Sequence, residues 1–147
     1  MQARINLVAL LGPEAISTMQ ALGKLTENGS VPPRTLRLVH LRASQINGCS
    51  VCVDLDRRFA RSTDSDERLF LVAAWRDAPV FSDAERAALA LTEAATRIAD
   101  GGEVPDDVWE DAAAEFTEEQ LAGIVLGIAA INFFNRINAT TRQIAPA

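Results

Sequence analysis

Apolar residues recur along almost the whole chain with the spacing of one helix face, and no segment carries a strand signal. Gly12-Pro13-Glu14 predicts a helix start, with proline at the first position and an early acid facing the helix dipole. Ile16, Met19, Leu22 and Leu25 form its apolar stripe, and Asn28-Gly29 ends it. Pro32-Pro33 starts a second helix with Leu36, Val39, Leu41 and Ala43 on its apolar side, and Asn47-Gly48 stops it. A third helix runs from Cys49 to Arg61. A fourth, capped by Ser65 or Asp66, reaches about Trp75. Ser82-Asp83-Ala84-Glu85 has capping-box spacing ahead of a long Ala/Leu-rich helix that stops at Gly101-Gly102. Pro105-Asp106-Asp107 opens the next. A second capping box, Thr117-Glu118-Glu119-Gln120, leads the last helix, from Leu121 to about Thr141. The expectation is an all-α protein.

No linker, low-complexity tract or short-period repeat interrupts this pattern, and 147 residues suit one domain, 1–147, with one substantial core. The balance of 48% hydrophobic to 23% charged residues is that of an ordinary globular chain. A net charge of -6 and a pI of about 4.8 offer no basic face for nucleic acid. The apolar run at Ile5–Leu11 is too short for a secretion signal. Leu121–Ala130, broken by Gly123 and Gly127, falls short of the roughly 20 residues of a membrane span. A cytoplasmic protein with neither nucleic-acid nor membrane partners is expected.

The candidate chemistry lies at Cys49-Ser50-Val51-Cys52, which holds both cysteines of the chain. A disulfide between them would close almost no loop and add little stability, so the pair reads as chemistry before structure. A cysteine between a glycine turn and a helix start meets unpaired backbone N–H groups and the positive end of the helix dipole, which favour the thiolate. A partner at i+3 lies on the same face and can capture a sulfenic acid or mixed disulfide. Three rival readings stand beside this one. Zinc needs about four ligands, and beyond the cysteines the one soft candidate is His40. A thioredoxin-like site needs a βαβ pattern, which is absent. An inert buried cysteine pair is the third.

From Leu36 to Ala60 the chain reads LRLVHLRASQINGCSVCVDLDRRFA. This resembles the signature of AhpD-like proteins of the carboxymuconolactone decarboxylase superfamily, in which a Leu-Arg-x-Ser-Gln-x-Asn-Gly-Cys run leads into Cys-x-x-Cys. The last helix, LAGIVLGIAAINFFNRINATTR, is similar to the family's closing helix at Ile131-Asn132 and Asn135-Arg136. The resemblance implies an all-α fold around a helical hairpin that carries the cysteines at a helix N-terminus, assembled as a homo-oligomer, a trimer or hexamer. It implies reduction of a peroxide or disulfide small molecule, recharged by a dithiol donor that is lipoyl- or thioredoxin-like, with neither metal nor cofactor. By family roles Cys52 is peroxidatic and Cys49 resolving, although helix position alone favours Cys49 as the thiolate.

The family's peroxidase pattern also has a Glu twelve residues before the first Cys and a His four residues after the second. Arg37 and Asp56 stand at those positions. A guanidinium stays protonated and cannot act as a base. Asp56 could, but a neighbouring arginine would lower its pKa. The expectation is a salt bridge between Arg37 and Asp56, with neither partner titrating near neutrality. His40 lies one helical turn from Arg37 and one from Ser44. It is either a substitute general base, a partly exposed helix residue, or a residue facing another subunit.

Trp75 and Trp109 read as core or subunit-contact residues, Phe133-Phe134 as core or interface, and Asp106, Asp107, Glu110, Asp111 and Glu115 as a solvated face. Asn132, Asn135 and Asn138 interrupt an apolar helix and, if buried, need partners, which the signature helices could supply. The leading functional expectation is a thiol peroxidase or disulfide oxidoreductase with an altered proton relay. The alternatives are a lactone decarboxylase of the kind that names the superfamily and a non-catalytic redox-responsive oligomer.

Overall fold

The computed structural model describes residues 2–27 and 29–145. Among these, every regular element is helical: α1 (Leu7–Glu27), α2 (Pro33–Ile46), α3 (Ser50–Ala60), α4 (Asp66–Leu71), α5 (Asp83–Thr96), α6 (Ile98–Gly101), α7 (Asp106–Glu115) and α8 (Glu118–Thr141). A short 3₁₀ turn, Val72–Ala74, follows α4.

The expected start signals act as read. α1 is broken at Gly12 (φ 77°), so Pro13 begins its regular part. Ser65 caps α4, and Ser82–Glu85 and Thr117–Gln120 close both capping boxes. Asn28, half of the expected stop of α1, lies outside the described residues. Two boundaries differ from expectation. The segment toward Trp75 tightens into the 3₁₀ turn after Leu71. The Ala/Leu-rich helix ends at Thr96, because Arg97 leaves helical geometry (φ -98°, ψ 19°) and α6 follows as a separate turn.

α2 is the centre of the bundle. Leu36 and Val39 pack with Leu91 of α5 and Ile124 and Ile128 of α8. Leu38 and Leu41 pack with Leu69, Val72, Trp75, Phe81 and Leu89. Burial of these side chains supplies the main drive for folding, at roughly 1.5–3 kcal/mol for each large one. α8 reaches α2 closely because of Gly127, where a Cβ would stand 2.6 Å from Leu36 Cδ1 and 3.4 Å from His40 Nε2. By length and composition α8 could cross a membrane. It runs past the apolar stretch, however, and its buried Asn132 and Asn135 bond to other helices as in a core helix. Trp75 is buried, Trp109 is exposed, and the acidic residues of α7 face outward.

Candidate active site

The hairpin of α2 and α3 turns at Gly48, whose φ of 63° suits glycine. The turn is fastened by the Cys49 N–H, which donates to the Ser44 carbonyl at 3.1 Å. Cys49 is thereby the N-cap of α3, and its Sγ accepts the Cys52 N–H at 3.4 Å. The two cysteines form a disulfide, with Cα atoms 5.3 Å apart, and pack with Ala43 and Ile131 in a small cluster of their own.

One face of this cluster opens on a cavity of about 700 Å³ between α1, α2, α3 and α8. Cys52 lines it and Cys49 does not. The walls are largely apolar, with Ile16 and Met19 from α1, Leu55 and Phe59 from α3, and Phe134 from α8. Asn138 of α8 donates from Nδ2 to Cys52 Sγ at 3.3 Å.

Asp56 follows Cys52 by one helical turn and is buried. Ser44 Oγ donates to its Oδ2 at 2.9 Å, and Asn135 Nδ2 donates to Ser44 Oγ at 3.1 Å. Asn47 ties this chain to α8, donating to both Asn132 Oδ1 and Asn135 Oδ1 at 2.9 Å. Burial pushes the Asp56 carboxyl up to about 7, outweighing the Ser44 hydrogen bond and the Arg37 charge, which both lower it. His40 Nδ1 stands 3.9 Å from Asp56 Oδ1. Burial, helped by the Arg37 charge and opposed by Glu27, takes the imidazole down to about 4, so His40 is neutral at pH 7. Its Nε2 has no hydrogen-bond partner among the described residues.

The structure thus brings Cys52, Asp56, His40 and Ser44 together and corrects three expectations. Arg37 does not pair with Asp56. Its Nη2 donates to Glu27 Oε1 at 2.8 Å, and its guanidinium lies over the Phe59 ring, 5.0 Å from the centroid. The half-exposed Glu27 carboxylate at the end of α1 meets the guanidinium directly, whereas the Asp56 carboxyl is buried and accepts from Ser44. Second, burial raises the Asp56 carboxyl to about 7 against the lowering effects of Ser44 and the Arg37 charge, so it does titrate near neutrality. Third, His40 is buried and not partly exposed, because the space left by Gly127 admits its ring under α8.

Glu27 and its α1 neighbours Gln20 and Lys24 were invisible as site residues in the sequence. The available signal was a charged helix end, Lys24 to Glu27, ahead of an arginine that otherwise had no counter-ion nearby in sequence. Among the described residues no group of three or more His, Cys, Asp or Glu side chains is placed to hold a metal ion.

A helical protein with a Cys-x-x-Cys pair at a helix start, its second sulfur on a cavity wall beside a protonatable carboxyl, defines the class. The family model of the carboxymuconolactone decarboxylase family matches residues 13–94, and the chain belongs to that family. It is similar to the uncharacterized protein YdfG of Bacillus subtilis (strain 168), 34% identical over 87% of each chain. The uncharacterized protein YnjA of Escherichia coli (strain K12) is 35% identical over 73% of this chain and 58% of its own length. Among solved structures, a protein of unknown function from Agrobacterium tumefaciens, proposed to be the antioxidant defence protein AhpD, superposes with a TM-score of 0.93. It is 37% identical over 99% of both chains, which establishes the AhpD-like fold. The debrominase Bmp8 shares the fold at a TM-score of 0.81, with 22% identity over 92% of this chain and 73% of its own.

Proposed function

We propose that this chain is a thiol peroxidase that reduces a small organic hydroperoxide at Cys52 and cycles through the Cys49–Cys52 disulfide. The observation that carries the reading is the asymmetry of the pair: both cysteines are buried, but Cys52 lines the cavity together with Asp56 and His40, and Cys49 does not. This favours the family assignment of Cys52 as nucleophile over the alternative drawn from helix position.

In the reduced protein the Cys52 thiolate, held by the Asn138 amide and the N-terminus of α3, attacks the terminal peroxide oxygen. An S–O bond forms as the O–O bond breaks, and the leaving alkoxide takes the Asp56 proton to become an alcohol. Cys52 is now a sulfenic acid. The Cys49 thiolate attacks its sulfur, the S–S bond forms, and hydroxide leaves to become water with a solvent proton. A dithiol donor returns two electrons and two protons and is itself oxidised to a disulfide. Neutral His40 adds no charge beside the Asp56 carboxyl, and Arg37 shapes the wall without moving protons. The same reading takes the chain as one catalytic domain acting in the cytoplasm, where dithiol donors are kept reduced. It also takes it as a homo-oligomer, trimer or hexamer, whose contacts would cover exposed apolar residues such as Val8, Leu10 and Phe133.

Consumption of cumene hydroperoxide with dithiothreitol as reductant tests this reading. The expected result is turnover that Cys52→Ser abolishes. Turnover undiminished in Cys52→Ser would contradict it.

A further inference from the structure

We infer that Glu27 is a positioning residue of this site: from the end of α1 its carboxylate holds the Arg37 guanidinium away from Asp56, leaving Asp56 free to carry a proton for Cys52. The inference rests on the reading of Asp56 as proton donor, but its geometry stands apart from that reading. Arg37 and Asp56 share one cavity wall, and Arg37 is near enough for its charge to be felt at both Asp56 and His40. A long flexible arginine beside an aspartate would ordinarily close a two-hydrogen-bond pair with it. Here the guanidinium is committed elsewhere on two sides, to Glu27 Oε1 at 2.8 Å and to the face of Phe59.

The groups facing Asp56 can be counted by helix. α2 brings Arg37 and His40, with the Ser44 hydroxyl. α1 brings Lys24 and Glu27. α3 itself brings Cys52. α8 brings the uncharged Asn138 to the cavity and Asn135 behind Ser44, while its arginine, Arg136, is turned to Asn132 Oδ1 at 2.9 Å. Arg37 is therefore the cation best placed to trap Asp56 as a carboxylate, and Glu27 is the group that occupies it. Thr26, the buried residue of α1, directly precedes Glu27 at the end of that helix. α1 thus contributes more than a wall: it supplies the counter-ion that occupies Arg37 and leaves Asp56 able to gain and lose a proton.

The test is a titration of the Asp56 carboxyl by ¹³C NMR in the reduced full chain, with hydroperoxide consumption followed across the same pH range. Glu27 is half exposed, so Glu27→Gln should fold normally. In Glu27→Gln, Arg37 should turn to Asp56 and lower its titration midpoint by about one pH unit or more. The double variant Glu27→Gln with Arg37→Gln should bring the midpoint back to the unsubstituted value or above. An Asp56 midpoint unchanged in Glu27→Gln overturns the inference. So does a lowered midpoint that persists in the double variant, since the effect would then bypass Arg37. The loss of turnover at high pH should move with the midpoint. If the midpoint moves and turnover does not follow, the positioning stands and Asp56 is refuted as proton donor.

Discussion

Asp56 and Glu93 are both buried carboxyl groups on helices that pack against α2, yet they end at opposite extremes of titration. Burial pushes each upward. Around Glu93 that push loses: Trp75 Nε1 donates at 2.9 Å, Arg76 Nη1 at 2.6 Å and Arg42 Nε at 2.7 Å, and the carboxyl is held down at about 2. Around Asp56 the partners are a serine hydroxyl and a neutral imidazole, and the nearest guanidinium is occupied by Glu27. Burial therefore wins, and the group rises to about 7. Depth alone does not make a buried acid reactive or structural. The number of committed cations around it does: Glu93 pins α5 to α2 and to the Trp75 turn, while Asp56 is left able to gain and lose a proton.

The sharpest way to break this contrast is Glu93→Gln. It removes the charge that offsets the part-buried Arg42 and turns one of two shared acceptor oxygens into an NH2 facing other donors, so we expect a loss of about 3 kcal/mol in urea unfolding at pH 7. A loss below about 1 kcal/mol would show that the cluster is not an anchor. Because Glu93 titrates below its ordinary 4.5, its contribution is present above that pH and lost as pH falls through about 2. The gap between Glu93→Gln and the unsubstituted chain should accordingly narrow on acidification.

Asp56→Asn should act in the opposite direction and more weakly. A carboxyl raised from 3.8 to about 7 favours the folded state fully below 3.8, and that benefit is lost as pH rises through 7. The variant should be more stable than the unsubstituted chain at pH 8, by about 2 kcal/mol, with the gap closing below pH 4. Hydroperoxide consumption should meanwhile fall about 100-fold, the scale of a lost general acid. Equal stability at both pH values would show that Asp56 is not held protonated by the fold.

Most of the helical frame was legible because its punctuation is local. Pro13, the Ser82 and Thr117 boxes and the Gly48 turn each act within four residues of themselves, and the signature around Cys49 and Cys52 is contiguous. The break at Arg97 was not legible, since neither glycine nor proline marks it and the apolar spacing continues through. Site electrostatics were the least legible part. The position of Asp56 was readable from the resemblance, but its proton affinity depends on burial against α2 and α8. The partner of Arg37 depends on where α1 ends in space. The room that buries His40 is made by Gly127 on α8, far along the chain. Asn132, Asn135 and Asn138 were readable as groups needing partners; the partners proved to be Asn47, Ser44, Thr96 and Cys52 itself.

The claim on which the functional account turns is that chemistry begins at Cys52. It is tested most directly by mixing reduced Cys49→Ser and Cys52→Ser variants with one equivalent of cumene hydroperoxide in the presence of dimedone, then locating the adduct by mass spectrometry. The account predicts a sulfenic-acid adduct on Cys52 in Cys49→Ser, with one equivalent of alcohol released, and none on Cys49 in Cys52→Ser. An adduct on Cys49 in Cys52→Ser, with Cys52 unmodified in the reciprocal variant, would contradict it.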